Sequence, residues 1–275
     1  MRRLAWLRAR RTTPARNATR SELRAIPRGP DEAARARVAN GVPIHIHFFQ
    51  RVWSYLEPVT LGESTSPMSG HLELLLVRNQ LLLLTDGALY SEGKSYRPAV
   101  TLANHLGDDL RHLKTVLVLG VGIGSIVRVL RERGCFPRYT LVEKDKTVLT
   151  WAMETLVDEG RPCPDQLDPE CLDAEAFMAE NDCAFDLVFV DIFKGRKVPH
   201  FVTTPPFLRR CRASLAPSGR LVFNYLADDE QKWKKLEQRL LEIFPGAQVV
   251  ASRDNRILIS EAMRGIGRAK DSRDQ

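Results

Sequence analysis

One stretch restricts the fold more than any other. Residues 115–119, Thr-Val-Leu-Val-Leu, run straight into Gly120-Val121-Gly122-Ile123-Gly124 and then into a helical pattern over 125–133. A continuous apolar run of this length marks a strand buried on both faces of a parallel sheet. Glycines at 120, 122 and 124 permit a tight turn and a close approach to the backbone. The helix that follows presents unpaired N–H groups and the positive end of its dipole. A G-x-G-x-G alone is weak. With the right strand before it and the right helix after it, the pattern predicts a nucleotide-binding turn.

The rest of the chain repeats the strand–helix alternation. Strands are predicted at 139–142, 185–190 and 220–225, with a short or distorted one within 161–170. Helices are predicted at 96–113, 147–159, 174–180, 204–215 and 228–244, and the last carries Trp233, Leu236, Leu240 and Phe244 on one side. Pro217-Ser218-Gly219 reads as a turn, and 247–252 with 256–260 as a closing antiparallel pair around Asp254-Asn255. The fold class is α/β: a Rossmann-like sheet with helices on both faces, whose ligands bind beyond the carboxyl ends of its strands. Ahead of it, 72–77 and 81–85 read as a hairpin joined by Arg78-Asn79-Gln80 and followed by an Asp86-Gly87 turn. A strand is predicted within 44–55, and 61–70 reads as a loop rich in turn residues. The organisation expected is a leader over 1–40, a small β module over 41–97, the main domain over 98–262 and a polar tail over 263–275.

Charge separates along the chain. Residues 1–37 hold eleven Arg against Glu22, Asp31 and Glu32, a net +8, which leaves 30 basic and 31 acidic groups, a net −1, in 38–275. The basic pI therefore belongs to the leader. A folded part near neutrality argues against a dedicated nucleic-acid binder; the leader reads as a solvated, disordered segment, with contact to RNA or an anionic membrane as the alternative. No apolar run reaches membrane-spanning length. The leader is Arg-rich and has no acid before Glu22, as in a transit peptide, but Pro14 interrupts it. The reading is a cytoplasmic protein. The cysteines, Cys135, Cys163, Cys171, Cys183 and Cys211, lack metal-ligand or framework spacing and read as free thiols, with no metal site. His45 and His47 alternate with Ile44 and Ile46, the pattern of a half-exposed strand.

Three acids stand where chemistry is expected. Glu143 closes the second sheet strand, about twenty residues past the glycines, where a carboxylate accepts both ribose hydroxyls of an adenosine. Asp173, before Ala174, either accepts an adenine amino group or caps the helix it leads. Asp191 ends the strand 185–190 and either serves as a base or caps its loop.

As a set these features resemble the spermidine synthase (polyamine aminopropyltransferase) family within the class I S-adenosylmethionine-dependent methyltransferases. Thr85-Asp86-Gly87 resembles the L-D-G that ends the family's hairpin, and Tyr96 its following tyrosine. Val142-Glu143-Lys144-Asp145 is similar to its V-E-x-D ribose motif, Asp173-Ala174 to its D-A adenine motif, and Pro217-Ser218-Gly219 to its P-G-G turn. The resemblance implies S-adenosylmethionine or its decarboxylated form as co-substrate, bound by Gly120, Gly122, Gly124, Glu143, Asp173 and Tyr96. It implies Asp191 as the catalytic acid/base, and a homodimer.

The departures concern the acceptor. The acid inside the family's glycine loop is Ile123 here, the glutamate after its tyrosine is Pro98, and the second acid of D-x-x-D-P is missing from Asp191-Ile192-Phe193-Lys194-Gly195. Lys194, Arg196 and Lys197 put positive charge beside the crevice instead. The expectation is a transferase with a neutral or anionic small-molecule acceptor that does not make spermidine. The alternatives are an aminopropyltransferase with an altered acceptor, or a non-catalytic nucleoside binder. A Rossmann dehydrogenase fits less well, since Ser125 and Val127 stand where its third glycine would fall.

Overall fold

A computed structural model describes residues 44–86, 88–159, 164–252 and 255–262. The expected leader, the tail beyond 262, Gly87, Cys163 and Asp254 lie outside them.

The chain first builds a small antiparallel sheet of four strands, β1 (Val59–Ser66), β2 (Gly70–Val77), β3 (Gln80–Thr85) and β4 (Ala88–Ser91), in that order. The predicted hairpin is β2–β3. Its turn is two residues long, and both Arg78 (φ 51°) and Asn79 (φ 59°) are left-handed, the geometry that matches strand twist. Two expectations fail here. Residues 61–70 are largely strand, because β2 offers a free edge and pairing absorbs Gly62 through a bulge after Thr60. Residues 44–55 hold no strand but a helix, α1 (Phe48–Trp53). The alternation before it is real, with Ile44 and Ile46 buried and His45 and His47 exposed, yet among the described residues no strand pairs with that segment, whose Ile46 N–H donates instead to Asp158 at 3.3 Å.

The second sheet has seven strands, in the order β10-β11-β9-β8-β5-β6-β7. β5 (Thr115–Leu119), β6 (Arg138–Val142), β7 (Leu167–Glu170), β8 (Phe185–Val190) and β9 (Leu215–Leu226) are parallel; β11 (Asn255–Ile259) is antiparallel to both β9 and β10 (Gln248–Ser252). The chain leaves β5 towards β6 and β7, then returns to place β8 on the other side of β5. That reversal opens a crevice between the ends of β5 and β8.

The helices between strands are α2 (Arg97–Leu106), α3 (Ser125–Glu132), α4 (Lys146–Asp158), α5 (Ala174–Glu180), α6 (Pro205–Ala213) and α7 (Glu230–Ile243). The helix expected over 96–113 stops at Gly107 (φ 52°) and continues as a 3-10 turn. Residues 217–219 do turn, but as an excursion within β9: Phe185 faces Leu215 while Leu187 faces Arg220, and Ser218 takes a φ of 70°.

Alternation along the buried strands builds two cores. Val116, Val118, Leu141 and Phe189 pack on α2 and α3; Leu117, Leu119, Val188 and Val190 pack on α5, α6 and α7. A third core joins the sheets. Leu72, Leu74, Leu81 and Leu83 of the small sheet enclose Val148 and Trp151 of α4, together with Ile123 of the glycine loop. Among the described residues no helix is long and apolar enough to cross a membrane.

Candidate active site

A cavity of about 810 Å³ lies where the small sheet overhangs the carboxyl ends of β5, β6 and β8, a volume within the range of small-molecule sites. The small sheet contributes the turn at Met68-Ser69-Gly70 and the residues Asp86, Leu89 and Tyr90. The large sheet contributes Gly120, Glu143, Lys144, Asp173, Ala174 and the loop after β8 as far as Phe201.

Of the residues singled out from sequence, Gly120, Glu143 and Asp173 line this cavity. Tyr96, Gly122 and Asp191 line a void of about 20 Å³ behind it. Gly124 lines neither. It caps α3 in a left-handed conformation (φ 77°), and a Cβ there would stand 2.7 Å from Leu156 Cδ1. Gly120 (φ 88°) is demanded by the neighbouring strand end, since its Cβ would fall 2.3 Å from the Asp191 carbonyl oxygen. The glycine pattern thus records protein packing as much as room for a ligand.

Glu143 is buried. Its carboxylate accepts the Val121 N–H at 3.1 Å and the Asp145 N–H at 3.1 Å. Burial raises its pKa, and the amides of Asp145, Val121 and Gly122 pull it back. Asp145 is equally buried and works elsewhere: it caps α4 through Thr147 N–H at 3.0 Å and accepts the hydroxyls of Ser66 and Ser69 from the small sheet. Of the two readings of Asp173, the structure shows the helix cap. It caps α5 through the Glu175 N–H at 2.9 Å, pairs with Lys144 at 3.5 Å, and still borders the cavity.

Asp191 is partly buried at the end of β8. Its Oδ1 accepts the Tyr96 hydroxyl at 2.9 Å and Asn224 Nδ2 at 2.8 Å. Asn255 Nδ2 in turn donates to Asn224 Oδ1 at 2.8 Å, which fixes that amide's orientation. Burial pushes the Asp191 carboxyl up to about 6, against the pull of these two donors. Tyr90 and Phe193 line both spaces, and the Tyr90 hydroxyl donates to the Phe193 carbonyl at 3.3 Å. Gly120 also borders both spaces, whereas Asp191 borders only the smaller.

Lys194 and Arg196 line the cavity, but Lys197 is not among its lining residues. Lys197 bridges back to Lys194 through backbone bonds of 2.8 and 3.2 Å, and Arg196 pairs with Asp228 at 3.8 Å. The cationic rim is therefore weaker than three adjacent basic residues imply. Ile123 is fully buried in the core joining the sheets, and Pro98 is buried in the first turn of α2. Among the described residues no cluster of His, Cys, Asp and Glu is arranged to hold a metal.

Sequence reading missed Asn224 and Tyr90, and it placed Asp145 in the ribose motif without seeing its tie to Ser66 and Ser69. Asn224 had a signal, being the one amide in an otherwise apolar stretch of β9. Tyr90 and the Asp145–Ser66/Ser69 contacts had none, because they join segments far apart in the chain.

No protein-family model matches this chain, and no curated protein does. Solved structures do. A probable spermidine synthase from Corynebacterium glutamicum is 20% identical over 73% of this chain and 79% of its own, with a TM-score of 0.59. The spermidine synthase of Thermotoga maritima is 16% identical, covering 74% and 72%, with a TM-score of 0.57. A spermidine synthase in complex with the transition state analogue AdoDATO is 17% identical, covering 74% and 72%, with a TM-score of 0.56. The chain thus has the spermidine synthase-like form of the Rossmann-like class I methyltransferase fold, with its small antiparallel sheet in front.

Proposed function

We propose that this protein is a spermidine synthase-like transferase that binds S-adenosylmethionine or its decarboxylated form and acts on an acceptor other than a polyamine. The observation that carries the reading is the cavity itself, with Glu143 beside the glycine loop and Asp173-Ala174 on the same wall. The Glu143 oxygens accept the Val121 and Asp145 N–H groups and, as an acceptor-only carboxylate, keep further capacity for a ribose hydroxyl. The sulfonium co-substrate would supply an electrophilic carbon. The chain's own task is then to align a nucleophile with it and to take up the proton released. Asp191 suits the second role, with a carboxyl near 6 that is largely ionised at neutral pH.

The acceptor side supports a neutral or anionic molecule. Ile123 sits in a dry core, so no carboxylate can be offered there, and Lys194 and Arg196 border the cavity. Calorimetry with S-adenosylmethionine and with its decarboxylated form tests the reading. Binding of either that weakens at least about tenfold in Glu143→Gln supports it; no binding of either at saturating concentration removes it.

One observation favours a second reading. Asp191 borders the small void and not the cavity, which suits a nucleoside-binding protein without turnover. An Asp191→Asn variant equal to the parent in every functional assay would favour that reading. Turnover of decarboxylated S-adenosylmethionine with putrescine would instead favour an aminopropyltransferase.

A further inference from the structure

Helix α1 has no buried residue. Phe48, Phe49, Val52 and Trp53 of the helix and Tyr55 and Leu56 after it are six of the eleven exposed large hydrophobics among the described residues; Phe49 is 81% exposed and Phe48 72%. Single exposed apolar side chains are ordinary, but six within nine positions form a patch that marks an interaction surface.

The patch is firmly mounted. The Arg78 N–H donates to the Ser54 carbonyl at 2.7 Å, the Asn79 N–H to Ser54 Oγ at 2.8 Å, and Arg51 Nη1 to Asn79 Oδ1 at 3.0 Å. Just upstream, Ile44 and Ile46 are buried in the core between the sheets. The helix is therefore held against the β2–β3 turn with its aromatic face outward.

Along the chain the charge leading into it has one sign, while in space Asp158 is paired with His45 and Arg51. No Asp or Glu occurs from residue 33 to residue 56, and residues 1–37 carry the net +8. A cationic segment leading into an exposed cluster of Phe, Trp, Tyr and Leu matches what an anionic bilayer surface attracts. Aromatic rings settle at the level of the headgroups, and basic side chains meet the negative surface potential. We propose that α1 and its flanking residues form a peripheral docking surface for an anionic lipid bilayer.

Two other occupants fit less well. A second copy packed across a two-fold axis through α1 would bring two +8 segments together. Single-stranded RNA calls for cations interleaved with stacking rings, whereas Arg51, the one Arg or Lys within 48–56, is tied to Asn79 and lies 3.6 Å from Asp158.

The topology keeps the cavity away from this surface. α1 adjoins the β2–β3 turn, while the cavity is lined from the opposite ends of those strands, at Gly70 and Asp86. Eight residues of β2 set the two apart by about 25 Å. Docking at α1 and ligand binding are thus separable.

The test is flotation of the full chain with phosphatidylcholine vesicles, with and without phosphatidylserine. The expected result is binding that requires phosphatidylserine, falls at high salt, and weakens at least about tenfold in Phe48→Ser/Phe49→Ser/Trp53→Ser. Melting temperature and S-adenosylmethionine affinity should not change in that variant, which shows that it is folded. Equal flotation of parent and variant, or flotation indifferent to phosphatidylserine, overturns the proposal. So does absence of flotation with a dimer that the variant dissociates, or with single-stranded RNA binding that the variant loses.

Discussion

At Asp191 the charge state links stability to reaction. Its carboxyl is raised to about 6 by burial, whereas in an unfolded chain it titrates near 3.9. The folded protein therefore prefers the protonated acid. The contribution to stability is complete below about 4 and is lost as pH rises through about 6. Asn in its place retains an oxygen for Tyr96 and Asn224 and removes the desolvated charge. Asp191→Asn should stabilise the fold by about 1–3 kcal/mol at pH 8 and hardly at all at pH 4, as chemical denaturation at the two values would show. If Asp191 is the base, kcat/KM of the parent should rise with pH through about 6, and the variant should lose that limb. Ile123 carries the opposite expectation. Ile123→Asp should cost several kcal/mol by placing a carboxylate in a dry core, without conferring spermidine synthesis. That Gly120, Glu143 and Asp191 directly follow β5, β6 and β8 was legible, because the apolar runs mark where each strand stops. Their placement around two separate spaces was not, since Tyr90 and Phe193 come together from different sheets.

Among the elements, β5, β6, β8 and α3–α7 follow the apolar periodicity closely, for each buries a face that the sequence must supply, whereas β7, Leu-Asp-Pro-Glu, is short and buries one residue. The small sheet was harder to read. β1 is poor in strand formers over Gly62-Glu63-Ser64-Thr65-Ser66 and exists because β2 pairs with it. α1 is too short to declare itself by period and is recognised only from its contacts with Ser54, Arg78 and Asn79. The two sheets are tied by Asp145, which combines a helix cap with the hydroxyls of Ser66 and Ser69. Asp145→Ala should cost about 2–3 kcal/mol, through the lost cap and two hydroxyls left without their acceptor. Hydrogen exchange should then show the β1–β2 turn opening before the large sheet does.

On the scale of the whole molecule, function resides in the space one sheet leaves above the other. Acids (Asp86, Glu143, Asp145, Asp173) line the cavity, and Lys194 and Arg196 reach it from the loop after β8. Lys194→Glu should weaken an anionic acceptor and strengthen a cationic one by at least about threefold at low ionic strength. The shift should fade as salt is added, and steady-state KM values for a pair of acceptors of opposite charge would measure it.

The amino-acid sequence alone determined the doubly covered parallel sheet, the glycine turn and the acids that close β6 and β8, because hydrophobic period and turn chemistry are local properties. Only tertiary structure decided that Gly120 makes room for the Asp191 carbonyl, that Ile123 belongs to a core, and that Asp145 holds two sheets together. Those outcomes depend on which surfaces meet, and residues far apart in the chain carry no pattern that announces their meeting.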